Sequence, residues 1–441
     1  MSFHCRATLE ETKRVHPYQD LVLCPSQRWN TPPRLSSSHF GIQKYRGLYN
    51  MYSDVKDDIL GLFCYGEDVV WISTVQYTEL HIQVVGIFDG HGDQGRQASL
   101  FFAKTCANKL LAKGFMAQLR QDVYHVNFTK SQELLSKFFQ RMDQMYKQQY
   151  PANIYSGTTA SIALILTMNE YRRFVLTANV GDSPIFLCRG SHIYEHYQPH
   201  IWENSIAYKE YYQHCLFNHK IPSIPVIGRF NIIGSGSVLP RTESNVEHVP
   251  FTLYKKGEPS LDVDSIISFQ QSIEKYAPQY IGGTQSLAKM VYQTSNSSDT
   301  TISSLPGYVY KNWGSVVYTP DRLSSIQMSK SLGDFYFKDQ CHLSAIPFTM
   351  VTEIFEPCTL FLCSDGITDI LYKHQISNFF FQNHDSSKKK QSSTTNLKST
   401  EFWEYCVDYI DQQDKNTCPF KMMSHGVYPS WDDCSFIIVK L

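Results

Sequence analysis

The sequence has almost no net charge: 40 Lys and Arg stand against 41 Asp and Glu, a formal charge of -1 over 441 residues. A chain without a basic excess has no electrostatic reason to track nucleic acid or an anionic membrane surface, so neither is an expected partner. Long apolar runs are missing too. No stretch approaches the roughly 18 consecutive apolar residues of a membrane-spanning helix, and the opening Met1-Ser2-Phe3-His4-Cys5-Arg6 lacks the apolar core of a secretory leader. The twelve cysteines are scattered with no Cys-x-x-Cys pair, which argues against zinc ribbons and dithiol redox motifs. Thiols of a cytosolic chain stay reduced. The expectation is a soluble, cytoplasmic monomer. Lys388-Lys389-Lys390 reads as part of a solvated loop, and a nuclear location is the alternative that run leaves open. No internal repeat is present.

What the sequence does have is apolar material, 42% of its residues, enough for a sizeable core. Four prolines in the first 40 residues, followed by Ser36-Ser37-Ser38, interrupt any period, so residues 1–40 read as an irregular arm and 41–441 as one domain. Residues 80–88 (LHIQVVGIF) form an apolar, β-branched run that stops at Asp-Gly, as a buried strand would. Residues 97–113 and 131–149 repeat apolar residues at helical spacing. Residues 159–166, 173–179 and 185–188 read as an antiparallel meander. Residues of about 190–320 are irregular and proline-rich, too long for a simple connection, and are expected to be an insertion able to meet a regulatory protein. Beyond it come a strand at 359–363, a helix at 369–381, a flexible loop at about 385–400, a helix at 401–412 and a terminal strand at 435–441.

Several of the strands end in an acid beside glycine or a second acid: Asp89-Gly90, Gly181-Asp182, Asp365-Gly366 and Asp432-Asp433. A strand end presents a carboxylate at a fixed place, and glycine lets a backbone carbonyl come close to an ion. Oxygen donors of this kind suit Mg²⁺ or Mn²⁺ rather than zinc or copper. One such pair is an ordinary turn, but four at the ends of strands of one domain point to a shared metal site.

In order along the chain, VVGIFDGHG (84–92), SGTTASIALI (156–165), TANVGDSPIFLCRG (177–190), IQMSKSLGD (326–334), LFLCSDGITDIL (360–371) and WDDCSFIIV (431–439) resemble the blocks of the metal-dependent phosphatase family protein phosphatase 2C. The resemblance covers roughly residues 45–441. It implies an α+β fold, a central antiparallel β-sandwich flanked by helices, and hydrolysis of phosphoserine and phosphothreonine in a phosphoprotein substrate by a water bridged between two divalent metals. Carried onto this sequence, Asp89 bridges both ions, the carbonyl of Gly90 is a ligand, and Asp365 and Asp432 complete the second ion's shell. Asp182 and Asp365 match the ligands of a weaker third site, and His91 matches the general acid for the leaving oxygen. Gly157, Thr158, Thr159, Ser329 and Gly333-Asp334 read as packing and loop geometry.

The chain departs from that pattern where the family has an Arg followed four residues later by an acidic ligand. Glu67 is the best candidate for the acid, but Phe63 then takes the Arg position, and Arg46 with Asn50 and Asp54 offers a competing alignment. Pro184 and Lys330 stand where Arg is also usual, and a lysine cannot reproduce the planar fork that grips phosphate. The expected function is therefore an Mg²⁺- or Mn²⁺-dependent serine/threonine phosphatase. The alternative is a catalytically impaired relative that uses the fold as a binding or scaffold module.

Overall fold

The computed structural model describes residues 21–24, 55–57, 60–227, 315–319, 325–385, 402, 405–406 and 435–441, apart from positions 78, 169–171, 191, 203, 224 and 372. Along the chain run strands β1 (Leu21–Cys24), β2 (Val55–Asp57), β3 (Leu62–Tyr65), β4 (Asp68–Gln76), β5 (Leu80–Phe88) and β6 (Gly90–His91). Helices α1 (Gly95–Lys109), α2 (Lys113–His125) and α3 (Thr129–Gln149) follow. Next are β7 (Gly157–Thr158), β8 (Ala160–Met168), β9 (Arg172–Val180), β10 (Ile185–Arg189) and β11 (His192–Glu195), then α4 (Ser205–Phe217). The remainder comprises β12 (Val226–Ile227), β13 (Ser315–Tyr318), β14 (Ser325–Ile326), β15 (Leu332–Gly333), α5 (Phe335–Cys341), β16 (Phe348–Ile354), β17 (Thr359–Cys363), α6 (Asp365–Ile370), α7 (Lys373–Asp385) and β18 (Phe436–Lys440).

Two antiparallel sheets make the sandwich, ordered β16-β9-β8-β5-β4-β3-β2 and β1-β18-β17-β10-β11. The period of two along β5 shows why. Val85 and Ile87 join Ile165, Val175, Leu187, Leu360, Leu362 and Ile437 in the apolar layer between the sheets. Their neighbours Val84 and Phe88 face the other way, into a core shared with Phe102, Leu119, Leu135 and Phe139 of α1 to α3. On the outer side of the second sheet, Phe186, Phe361 and Phe436 pack against Ile367, Ile376 and Phe380 of α6 and α7. The layers thus run helix, sheet, sheet, helix, the α+β sandwich expected.

Several local expectations change. The meander does not continue into β10: β8 and β9 pair as a hairpin, with Ala160 opposite Val180, but β10 crosses to the second sheet and pairs with β17 and β11. Ser183-Pro184 makes that crossing, because proline lacks the donor a continuing ladder would need. The arm at 1–40 contributes an edge strand, β1, with Leu21 opposite Val439. Residues 113–125, not read as helical, form α2 with Met116, Leu119 and Val123 buried on one face. The helix expected at 369–381 is two, α6 and α7. The start of the proposed insertion is woven into the domain: β11 pairs with β10, and His200 binds the loop after β9. The loop at about 385–400, most of the helix at 401–412 and residues 228–314 of the insertion lie outside the described residues. Among the described residues no helix is long and apolar enough to cross a membrane.

Candidate active site

The antiparallel pairing brings strand ends that are far apart in sequence to one end of the sandwich. Val69 at the start of β4 lies opposite Phe88 at the end of β5, and Val180 at the end of β9 lies opposite Ala160. In the second sheet Cys363, ending β17, lies opposite Phe436. A cleft of about 500 Å³ opens there, and its lining includes Glu67, Asp89, Gly90, His91, Asp182, Asp334 and Asp365.

Each acid is held by its backbone. The Asp89 carbonyl accepts from Thr159 N and Thr158 Oγ1, both at 2.8 Å, while its N–H donates to Thr159 Oγ1 at 3.2 Å. Ser183 Oγ lies 2.6 Å from Thr159 Oγ1, tying the Asp89 and Asp182 loops together. On the other side of Asp182, Gly181 N donates to His200 Nδ1 at 3.1 Å. Ser364 and Ser435 exchange two bonds of 2.9 Å just before Asp365. Ser99 of α1 donates to the Glu67 carbonyl at 2.5 Å. Gly90 is obligatory here: a Cβ would collide with the Gly95 carbonyl oxygen and stand 2.8 Å from that of Glu67.

His91 contributes the cleft's one imidazole among the described residues that line it. Its Nε2 lies 2.6 Å from Asp334 Oδ2, and the Asp334 side chain is almost fully buried whereas that of His91 is 28% exposed. Burial pulls the His91 pKa down, but the charge and hydrogen bond of Asp334, helped by Asp182 and Glu67, outweigh it and leave the value raised. His200 goes the other way: complete burial, reinforced by the Lys330 cation, drives its pKa well below the usual histidine value. His200 is therefore a neutral buttress at physiological pH.

The donors are hard oxygens with no thiolate among them, which fits Mg²⁺ or Mn²⁺. Among the described residues no three of His, Cys, Asp or Glu are drawn into one tight ligand group. Like charges repel, so five carboxylates that line a shared cleft without converging on a point are arranged as electrostatics favours. Asp432 lies outside the described residues, as do Arg46, Asn50 and Asp54. Glu67, Asp89, Gly90, His91, Asp182 and Asp365 all reach the cleft. Among the described residues no Arg or Lys lines it. Phe63 packs against the inner core of the sandwich, and Lys330 is committed to Glu210 of α4 at 2.8 Å.

Asp334 is the residue that sequence reasoning passed over. Its signal was present, since Leu332-Gly333-Asp334 is another short strand closing on an acid beside glycine. Thr158 and Thr159, read from the sequence as packing and loop geometry, clamp the Asp89 backbone. No pattern in the sequence marked His200.

Comparison with known proteins places the chain in a family. The sequence profile described as Protein phosphatase 2C matches residues 71–205 and 302–409, more than half of the chain. "Probable protein phosphatase 2C 2" of Paramecium tetraurelia is 32% identical over 143 residues, 30% of this chain and 45% of that protein. A probable protein phosphatase of Dictyostelium discoideum is 36% identical over 118 residues, 25% of this chain and 12% of that protein. The matches thus span less than half the length of these relatives. Among solved structures, the serine-threonine phosphatase 2C from Toxoplasma gondii is 14% identical with a TM-score of 0.43, covering 88% of this chain and 98% of that one. With more than half of its length matched by the profile, this chain belongs to the protein phosphatase 2C family.

Proposed function

We propose that the chain is a divalent-metal-dependent protein serine/threonine phosphatase. One observation carries the reading: acids from four separate strand ends and one turn line a single cleft together with His91. Family membership supports it, since the protein phosphatase 2C family is generally dependent on divalent metals. Asp89, the Gly90 carbonyl, Asp182, Asp365 and Asp432 are the ligand candidates, with Glu67 as the opposing acid. Divalent ions bound there would supply charge neutralisation for the phosphoryl oxygens and a water acidic enough to act as nucleophile. The protein's own part is to fix the Asp89 and Asp182 loops through the Thr158, Thr159 and Ser183 bonds and to hold a proton on His91 for the leaving seryl or threonyl oxygen. Neither Cys nor Ser is needed as a nucleophile. The purified full chain should release phosphate from a phosphoseryl peptide with Mn²⁺ and stop with EDTA, and Asp89→Asn and Asp365→Asn should each abolish turnover. Undiminished turnover in both variants would sink this reading.

A second reading has its own observation. Among the described residues lining the cleft there is no Arg or Lys to grip a phosphate. That favours a catalytically impaired protein that keeps the fold as a binding module. Calorimetry with Mn²⁺ separates the two: a scaffold takes up at most one ion weakly, an enzyme at least two.

A further inference from the structure

We infer that Asp334 is the positioning residue of His91, holding the imidazole so that its Nδ1 can deliver a proton to the leaving oxygen. The inference deepens the phosphatase reading and rests on it. Four features of Asp334 point the same way. It is a non-glycine residue in the left-handed region, at φ 50° and ψ 43°, which few residues other than glycine adopt, aspartate more readily than most. It occupies the N-cap of α5, where an aspartate would ordinarily accept from the first free N–H groups, yet it makes no such side-chain bond. Its carboxylate is instead spent on His91, 243 residues away. Finally, Asp334 is wholly buried, and its Oδ1 has no hydrogen-bond partner, an arrangement that costs stability without helping the helix.

The surroundings keep that carboxylate in place. Asp334 N donates to the Ser156 carbonyl at 3.0 Å, and Gly333 N donates to Asp143 Oδ1 at 2.8 Å. Gly157, paired with both His91 and Gly333, leaves the space the carboxylate fills: a Cβ there would collide with Asp334 Oδ2 and stand 2.5 Å from the Leu332 carbonyl oxygen. With Nε2 engaged by Asp334, Nδ1 is the ring nitrogen left for the cleft. In the reaction the bond between phosphorus and the seryl or threonyl oxygen breaks, and the attacking water adds its hydroxyl to phosphorus. The leaving oxygen takes the proton from His91 Nδ1. The proton shed by the water passes to solvent and His91 is reprotonated from it, so the products are the free alcohol and inorganic phosphate.

A positioning role predicts a dependence on the leaving group that a merely structural role does not. An alkoxide needs a proton to leave, whereas p-nitrophenolate does not. Asp334→Asn in the full chain with Mn²⁺ should lose about 10²-fold in kcat on a phosphoseryl peptide and far less on p-nitrophenyl phosphate. Combined with His91→Gln, it should cost no more on the peptide than His91→Gln alone. Asp334→Gly serves as the second variant, because glycine is at ease at a φ of 50° and the backbone should fold with the carboxylate gone. Equal losses on both substrates, or additive losses in the double variant, would overturn the proposal while leaving the phosphatase reading intact. A wild-type chain inert towards both substrates would overturn the phosphatase reading, and the proposal with it.

Discussion

Replacing Gly90 by Ala is the most direct test of how the cleft is built. The new Cβ would meet backbone atoms, the Gly95 carbonyl carbon at 2.6 Å and the Glu67 carbonyl oxygen at 2.8 Å, where an ordinary Cβ contact begins at 3.4 Å. Backbone cannot rotate away as a flexible side chain can. The Asp89-Gly90 loop must therefore separate from the start of α1 and the Glu67 turn by roughly 0.5–1 Å, in a region packed too densely to absorb it freely. Overpacking of this kind costs about 1–3 kcal/mol. A displacement near 1 Å in a reacting centre costs on the order of 10²-fold in rate. Gly114 is the control: it is an exposed position in α2 where an added Cβ meets nothing within 4 Å, so Gly114→Ala should stabilise by about 0.4–1 kcal/mol. Urea unfolding gives the stabilities, and calorimetric titration with Mn²⁺ reads the ligand geometry independently of turnover. If Gly90→Ala matches the wild type in both unfolding midpoint and Mn²⁺ uptake, the close approach of β6, α1 and the Glu67 turn is not what builds the site.

Further expectations concern the frame. Burial holds the pKa of His196 down to about 4, so as pH falls below the unfolded value of 6.5 the unfolded chain takes up a proton first. Its contribution to stability is full above pH 6.5 and is lost on the way to the folded value, worth at most about 3 kcal/mol. His196→Gln should therefore flatten the fall in urea midpoint between pH 7 and pH 4.5, and an unchanged slope would count against this account. Asp122 accepts from Gln118 Nε2 at 2.6 Å and from Ser131 N at 2.9 Å, serving as an N-terminal cap that α3 lacks from its own residues. Asp122→Ala should cost about 1–2 kcal/mol in urea unfolding; no loss would show that solvent replaces the cap. Phe361 lies within ring contact of Phe186, Phe380, Phe402 and Phe436. Phe361→Ala should destabilise by about 3–5 kcal/mol, and a cost under half of that would mean α7 collapses onto the sheet.

The parts of the fold that could be read in the sequence are those that local pattern controls. The run at 80–88 had to be a strand because its β-branched residues pack on both faces, and both faces of β5 are indeed covered. Residues 131–149 had to be a helix because Leu134, Leu135, Phe138, Phe139, Met142 and Met145 recur at helical spacing, and Leu135, Phe139 and Met142 are among its buried residues, with Tyr146 extending that face. Partnership between elements was not readable in this way. An apolar strand such as 185–188 carries nothing that says which sheet it joins, and β10 went to the second. The edge strand at 21–24 is an apolar tetrapeptide among prolines, too short for a period to show, and it is defined by its pairing with β18.

The site divides along the same line. Asp89, Asp182 and Asp365 were legible only together with Asp432, because one acid beside glycine at a strand end is an ordinary turn and four in one domain are not. Asp334 carried the same local signature on a shorter strand, two residues long, and the signature alone could not tell a turn from a functional acid. What separates the two is tertiary. A turn aspartate would spend its carboxylate on its own N–H groups, while this one turns from its helix towards an imidazole 243 residues away, through a gap that exists because residue 157 has no side chain. Gly157 in the sequence looked like part of a packing motif, and His91 alone looked like a histidine in a turn. Three residues that are each unremarkable locally form the buried His91–Asp334 pair only jointly, and the short sheet β15-β7-β6 is what joins them. On the proposed reading, disturbing that sheet should therefore impair proton delivery and the Gly90 carbonyl before it impairs Asp182 and Asp365, which follow the longer strands β9 and β17 of the sandwich.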